Sequence, residues 1–436
     1  MSQAVFAAGG LSVEVEIALS TAQTPERAVL DALDNVCGSL AGSTGTATTE
    51  EASLARFCNV FTSPDIIPEE KLDAAREMSA RSASAETSVG TYLPGGVSMP
   101  DFSKRLAMLR RAAQSSSLAK APAEPIMVAA LGSIALSDEV PEGESRFSGF
   151  VNLNVNNYEQ DETLFAAGFS GSGNGLVLGS DYRFNNQMFA GAALNYSNQD
   201  MDILDSTGDD KGTLAMNDTG LTFYTTYSLS DTLYLDGVFN YGKQEYELQR
   251  YIDINFTTPL FNDDAQTKSN PTGTNLALSL GSGWQTEWED NSIDITGNLY
   301  YGNSTIDKFS ETNGEGYNLT VDKQNIKTLR LNLGGGISRA FSTGFGVLLP
   351  QFTLHMIHEF DTSGQKISAS FSADPSSSPE KFSYVSEERD SDYFTAALGV
   401  SLLSAGGLTT YLQYDTVLAM ENYTQSNISL GARMEF

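Results

Sequence analysis

The chain has 436 residues, with 25 Lys and Arg against 55 Asp and Glu and a formal net charge of −30. So acidic a chain excludes nucleic acid as a partner, because phosphate binding needs a basic face. Charged residues make up 18% of the sequence and hydrophobic residues 40%, yet no apolar run reaches the roughly 18 residues of a transmembrane helix.

The first residues, Met1 to Gly10, lack a basic segment followed by a full apolar one, so they are not an intact signal peptide. The pattern then turns helical. Thr24 and Pro25 form an N-cap and first-turn pair, and Val29, Leu30, Leu33, Val36 and Leu40 mark one face of a helix. Gly42 and Gly45 end it. Thr49-Glu50-Glu51 opens a second helix through Leu54, Phe57, Cys58 and Phe61, and Pro68-Glu69-Glu70 opens a third that runs towards Arg81. Cys37 and Cys58 are the only cysteines, and in an exported chain such a pair fits one disulfide stapling a helical hairpin. Two buried free thiols are the other reading.

Residues 1–100 read as this small helical domain. Residues 101–145 read as a linker, with a candidate basic helix over Asp101–Lys120 carrying Lys104, Arg105, Arg110 and Arg111. Either that helix or the stretch Ala121–Glu144 is the candidate to thread a pore, and the other reading of the helix is that it packs in the N-terminal domain.

From Arg146 the period of the pattern changes to two. Phe147, Gly149, Val151, Leu153 and Val155 alternate with Ser148, Phe150, Asn152 and Asn154, which gives a strand two unlike faces. Twelve such strands follow, near 146–156, 171–184, 188–199, 215–229, 233–248, 273–288, 292–308, 326–341, 346–361, 391–404, 407–418 and 424–436. Their connections alternate between tight turns and long polar stretches, the longer ones being 157–170, 200–214, 249–272, 309–325 and 362–390. The expected fold over residues 146–436 is an all-β transmembrane barrel, up-and-down, of twelve antiparallel strands.

Lipid rather than water decides between this barrel and a soluble one. One face of the strands carries Leu233, Leu235, Phe239, Leu278, Leu280, Ile293, Ile295 and Leu299; the other carries Asp236, Asn240, Asn275, Asp294, Asn298, Arg330 and Asn332. The apolar face then meets outer-membrane lipid, and Asp236, Asp294, Asn298, Arg330 and Asn332 line a hydrated lumen. Aromatic residues near strand ends, among them Tyr182, Phe184, Tyr196, Trp284, Trp288 and Tyr301, suit interfacial girdles. The last strand alternates Ile428, Leu430, Ala432, Met434 and Phe436 with polar residues up to the final position. A strand that ends on Phe436 makes sense when it closes the barrel against the first.

Gly175–Phe184 followed by a tight turn and Met188–Ser197, the mid-barrel stretch Gly297–Gly302, and the ending Ser429–Phe436 together resemble the β-domain of autotransporters, the type V secretion family. The resemblance spans about Arg146 to Phe436. It implies a pore that carries the segment just upstream of the first strand, export of the N-terminal part as a passenger, and a C-terminal strand, Ile428, Leu430, Met434 and Phe436, read by the barrel assembly machinery. The sequence departs from the family in the short, helical region ahead of the barrel, and it lacks the Asn-Asn pair used for self-cleavage in one subgroup. Release of a passenger is therefore not expected.

Catalytic chemistry finds little support. His355 and His358 are the only histidines, spaced so that they point to opposite faces of one strand. Gly168–Gly173 reads as a loop, Gly334-Gly335-Gly336 as close packing inside a strand, and Asp200, Asp202, Asp205, Asp209 and Asp210 as one solvated acidic loop. No enzyme, metal or cofactor is expected. Three roles remain: a translocator that secretes or displays its own N-terminal domain, an outer-membrane anchor or receptor with a periplasmic helical domain, and a plugged pore. Either of the first two leaves the helical domain to meet an extracellular or periplasmic protein partner.

Overall fold

A computed structural model describes residues 24–41, 47–81 and 146–436, apart from residues 186, 206, 387, 405 and 406. Three helices come first: α1 (Pro25–Ala41), α2 (Thr49–Phe61) and α3 (Pro68–Glu77). Thr24 caps α1 by accepting a hydrogen bond from the Arg27 amide. The second helix starts at Thr49, where the sequence opens it, and the preceding Thr48 is its cap. Thr48 accepts from the Glu51 amide while the Glu51 carboxylate accepts from the Thr48 amide, a reciprocal cap that satisfies two otherwise open donors. Cys37 and Cys58 are joined in a disulfide that ties α1 to α2. No helix among the described residues is long and apolar enough to cross a membrane.

The strands are β1 (Phe147–Gln160), β2 (Gly168–Arg183), β3 (Met188–Leu204), β4 (Asp210–Ser228), β5 (Leu233–Thr257), β6 (Leu260–Ser269), β7 (Thr272–Trp288), β8 (Asn291–Ile306) and β9 (Phe309–Ser310). After them come β10 (Leu319–Val321), β11 (Gln324–Arg339), β12 (Phe341–Thr343), β13 (Gly346–Glu359), β14 (Lys366–Phe371), β15 (Lys381–Val385), β16 (Asp392–Ser404), β17 (Leu408–Leu418) and β18 (Tyr423–Glu435). Twelve of them close a barrel, each antiparallel to the next, and β18 returns to pair with β1 along thirteen residue pairs from Ser148↔Glu435 to Gln160↔Tyr423. Closure leaves no open edge in the wall, as hydrocarbon demands.

All five of the longer connections expected as loops are partly strand, since β1 and β2 run into 157–170 and β3 and β4 into 200–214. The stretch 249–272 holds the end of β5 and all of β6, paired from Leu248↔Ser269 to Thr257↔Leu260. Within 309–325 and 362–390 lie β9, β10, β14 and β15, which form a separate four-stranded sheet. Asp200 and Asp202 sit on β3 rather than in a loop, and Gly168–Gly173 is part of β2. The composition of these stretches is polar because one face of each strand meets water. The other face is apolar and was hidden in the average.

The short turns, the start of β1 and the end of β18 share one end of the barrel. The longer connections and the three helices share the other.

Candidate functional site: the lumen and its occupied mouth

Strand β5 shows how two solvents shape one ladder. In its first half the outward residues Leu233, Leu235, Phe239 and Tyr241 are exposed, while inward Asn240 is sealed at 0%. In its second half the outward residues become Lys243, Glu245, Glu247, Gln249 and Asp253, and the inward ones become Tyr246, Leu248, Ile252, Ile254 and Phe256, each buried. The side-chain alternation never slips; only the chemistry of each face exchanges. Around the first half lies lipid with a wet interior. Around the second half lies water with a dry interior. β3 changes the same way, from outward Leu194 and Tyr196 to Asp200 and Asp202, and inward from Asn195 to Met201 and Ile203.

The lumen of the membrane-spanning half is polar. Asn332 donates to Asn298 at 2.7 Å, the Tyr234 hydroxyl donates to Asp294 at 2.9 Å, and Arg330 pairs with Glu359 at 3.0 Å. Asp236 lines the same interior. Asn240 donates to both Asn195 and Thr222, binding three neighbouring strands with amide and hydroxyl groups. The inner face of β2 carries Gly171, Gly173, Gly175 and Gly179, and side chains of adjoining strands lie across them; a Cβ at Gly173 would come within 1.9 Å of the Gln199 amide. At the closing seam Ile428, Leu430, Met434 and Phe436 all point outward and are 46–73% exposed. The Phe436 amide donates to the Phe147 carbonyl at 3.0 Å, and its ring lies against Gly149. Lys104, Arg105, Arg110 and Arg111 lie outside the described residues.

The far mouth is occupied by the helices. Val29, Leu33 and Val36 of α1, Leu54, Phe57 and Phe61 of α2, and Ala74, Ala75 and Met78 at α3 join one continuous apolar core with the inner faces of the overhanging strands. Phe57 contacts the rings of Phe61, Phe256, Phe261 and Tyr317 at centroid distances of 5.1–6.3 Å. Two buried guanidinium groups cross this boundary. Arg81 pairs with Glu162 at 2.6 Å and donates to the carbonyls of Thr163 and Ala166, so the N-terminal part grips the β1–β2 connection. Arg250, on β5, pairs with Glu311 through two donors and gives further hydrogen bonds to the carbonyls of Glu77 and Tyr317. At the rim, Arg56 donates twice to Asp263, Lys211 pairs with Glu77 at 2.9 Å, and the buried Tyr384 hydroxyl donates to the Ala80 carbonyl. Burial pushes the Tyr384 phenol upward, so it stays neutral as a donor. For Lys211, burial works against the ammonium, but Glu77 and Asp205 outweigh it and raise its pKa above the ordinary lysine value.

The sequence marked the apolar residues of α1 and α2 but not what they pack against, nor the polar contacts of Arg56, Arg81, Lys211, Arg250 and Tyr384. The signal was present in β5, where inward apolar residues continue at every second position through the stretch taken for a loop.

The two histidines are far apart in role. His355 bonds to Thr296 inside the barrel, and His358 bonds to Asp392 near the mouth. Asp205 accepts from Thr207 and Asp209 in a local turn. Among the described residues no group of three or more His, Cys, Asp or Glu is arranged to hold a metal.

The family model described as "Autotransporter beta-domain" matches residues 149–415. Among solved structures, the chain is similar to the translocator domain of autotransporter NalP from Neisseria meningitidis, at 12% identity over 77% of this chain and 98% of that one, with a TM-score of 0.49. It is similar to the β-domain of the Bordetella autotransporter BrkA, at 16% identity over 67% and 100% of the two chains and a TM-score of 0.48. The transport unit of the autotransporter AIDA-I from Escherichia coli aligns at 12% identity over 74% and 97%, with a TM-score of 0.46. No curated protein matches the chain. The apolar outer wall, the polar lumen, the seam between β1 and β18 and the match over residues 149–415 place the chain in the autotransporter β-domain family, as a translocator barrel of the bacterial outer membrane.

Proposed function

We propose that the protein carries its own N-terminal helical domain through the outer membrane and keeps it at the cell surface as a fixed, non-catalytic display. One observation carries the reading. Arg81, the last described residue of the N-terminal part, stands at one mouth of the barrel, where it pairs with Glu162, whereas Arg146 precedes β1 at the other mouth, where its carbonyl accepts from the Arg183 amide. The N-terminal part and the start of β1 thus stand at opposite ends of a closed wall, as carriage of the N-terminal part through the lumen would leave them. In barrels of this kind the short turns face the periplasm and the longer connections face outside, so the helices belong on the outer side. The buried docking of α1 to α3 supports retention rather than release. In this reading Ile428, Leu430, Met434 and Phe436 present the closing strand to the assembly machinery, and the exposed surface of the helices meets an extracellular partner.

The test uses an epitope inserted between Gly38 and Ser39, an exposed turn of α1 with open space around Gly38. A membrane-impermeant antibody should label intact cells. Labelling only after the outer membrane is opened would replace display with the alternative, a barrel anchoring a periplasmic helical domain.

A further inference from the structure

We infer that the overhanging strands of the barrel have a second role: they are the template on which the helical domain folds. This concerns the docking of the two parts alone, and it holds whichever side of the membrane the helices occupy.

Two of the three helices are short, at 13 and 10 residues, and isolated helices under about 12–15 residues are marginal in water. A core of three helices buries a small share of its surface and is marginal by itself. Its large apolar side chains do not turn only towards each other. Phe57, sealed at 0%, packs against Phe256 and Phe261 of the β5–β6 hairpin and against Tyr317. The dependence is mutual. Ile252, Ile254, Phe256, Phe371 and Tyr384 line the inner face of the mouth at 2% exposure or less, and the helices are what cover them.

Polar groups complete the match. Arg250 satisfies its guanidinium with Glu311 and the Tyr317 carbonyl on the barrel side and with the Glu77 carbonyl at the end of α3. Arg81 reaches the other way, from the helical segment to Glu162, Thr163 and Ala166. Such contacts form only with both parts in place, so the helices gain their structure at the mouth, after the wall that holds β5 has closed. The Cys37–Cys58 disulfide lies inside the same core, at 4% and 5% exposure, and reports its formation.

The full-length chain is reduced and unfolded in urea, then diluted into a glutathione redox buffer with or without phosphatidylcholine vesicles. Barrel closure is followed by heat-dependent migration in detergent gels, and disulfide closure by protection of Cys37 and Cys58 from alkylation. Protection should follow barrel closure and form at least ten-fold more slowly without vesicles. The variant Ile254→Asp should close its barrel in vesicles yet leave both thiols open to alkylation; Ile254→Ala, a milder change, should slow protection several-fold even if the Asp variant fails to close. Equal rates of protection with and without vesicles, or protection unaffected in Ile254→Ala, would overturn the template. Neither outcome touches the question of surface display, which the epitope labelling decides separately.

Discussion

Arg250 and Glu311 meet through two hydrogen bonds, at 3.0 and 2.6 Å, with side-chain exposures of 4% and 3%. The pair lies where β5, the segment before β10 and the end of α3 converge, since Arg250 also binds the Glu77 carbonyl and Glu311 accepts from the Leu319 amide. Removing one partner of such a pair strands a buried charge, which costs about 3–5 kcal/mol, whereas replacing both with apolar residues is often neutral. Arg250→Met should therefore speed hydrogen exchange through α3 and around Tyr317, and Arg250→Met with Glu311→Leu should recover most of the protection. A double variant as exchange-labile as the single one would mean that the hydrogen bonds to Glu77 and Tyr317, rather than the ion pair, hold this corner.

The exchange of faces along β5 makes a prediction about a single strand. Phe239→Arg sets a charge against lipid and should lower barrel stability by about 2–4 kcal/mol at mid-depth. Glu247→Arg, on the same outward face but beyond the boundary, should change it by less than about 0.5 kcal/mol. Urea unfolding in vesicles measures both. Equal losses would place Glu247 in the membrane.

Two glycines separate close approach from mere smallness. A Cβ at Gly334 would meet the Leu354 carbonyl oxygen at 2.2 Å, a backbone atom that cannot swing away. At Gly237 the nearest neighbour is a Thr225 methyl at 3.4 Å. Gly334→Ala should cost about 1–3 kcal/mol of barrel stability through overpacking, and Gly237→Ala almost nothing. The temperature at which heat-dependent migration is lost should fall for the first alone.

The Lys211–Glu77 contact should loosen in alkali. Because the folded-state pKa of Lys211 lies above its ordinary value, its contribution is complete below that ordinary value and is lost as pH rises through the raised one. Protease sensitivity of residues 47–81 should therefore increase at alkaline pH in the unaltered chain. Lys211→Met should be more sensitive at neutral pH and should lose the part of the alkaline rise that Lys211 contributes. An unchanged alkaline rise in the variant would assign it to other groups.

Replacing Cys37 and Cys58 with Ala removes a cross-link between residues 21 apart. Loop-closure entropy for a span of that size is worth about 3 kcal/mol to the helical domain. Proteolysis of the helices should accelerate at a urea concentration that leaves barrel migration unchanged. A barrel weakened to the same degree would show that the cross-link acts on the wall as well.

How much of this could be read from sequence depended on which face was averaged. In the bilayer the apolar outward face and polar inward face stood out, because β1, β7 and β18 alternate Leu, Ile or Val with Asn or Ser over much of their length, so the number of wall strands and their closure were recoverable. The three helices were local patterns and also legible, while the Cys37–Cys58 disulfide was one of two readings that the structure decides. The mouth was hidden because Asp253, Asp263 and Asp264 make the stretch 249–272 look like a hydrated loop, although Ile252, Ile254 and Phe256 continue the two-residue beat of the strand before it. Arg250 and Arg81 were invisible for another reason. Each interrupts an otherwise apolar or loop-like stretch, and only the fold brings Glu311, Glu77 and Glu162 to them.

β5 has 25 residues, roughly 80 Å of extended chain at about 3.3 Å per residue, and it exchanges its dry and wet faces partway along. That exchange acts as a waterline painted on the hull. Sinking the protein would drag Lys243, Glu245 and Glu247 into hydrocarbon, and lifting it would bare Leu235, Phe239 and Tyr241 to water. Vertical drift is penalised in both directions, so the draught of the barrel, and with it the height at which the helices ride above the lipid, is set by the strands alone.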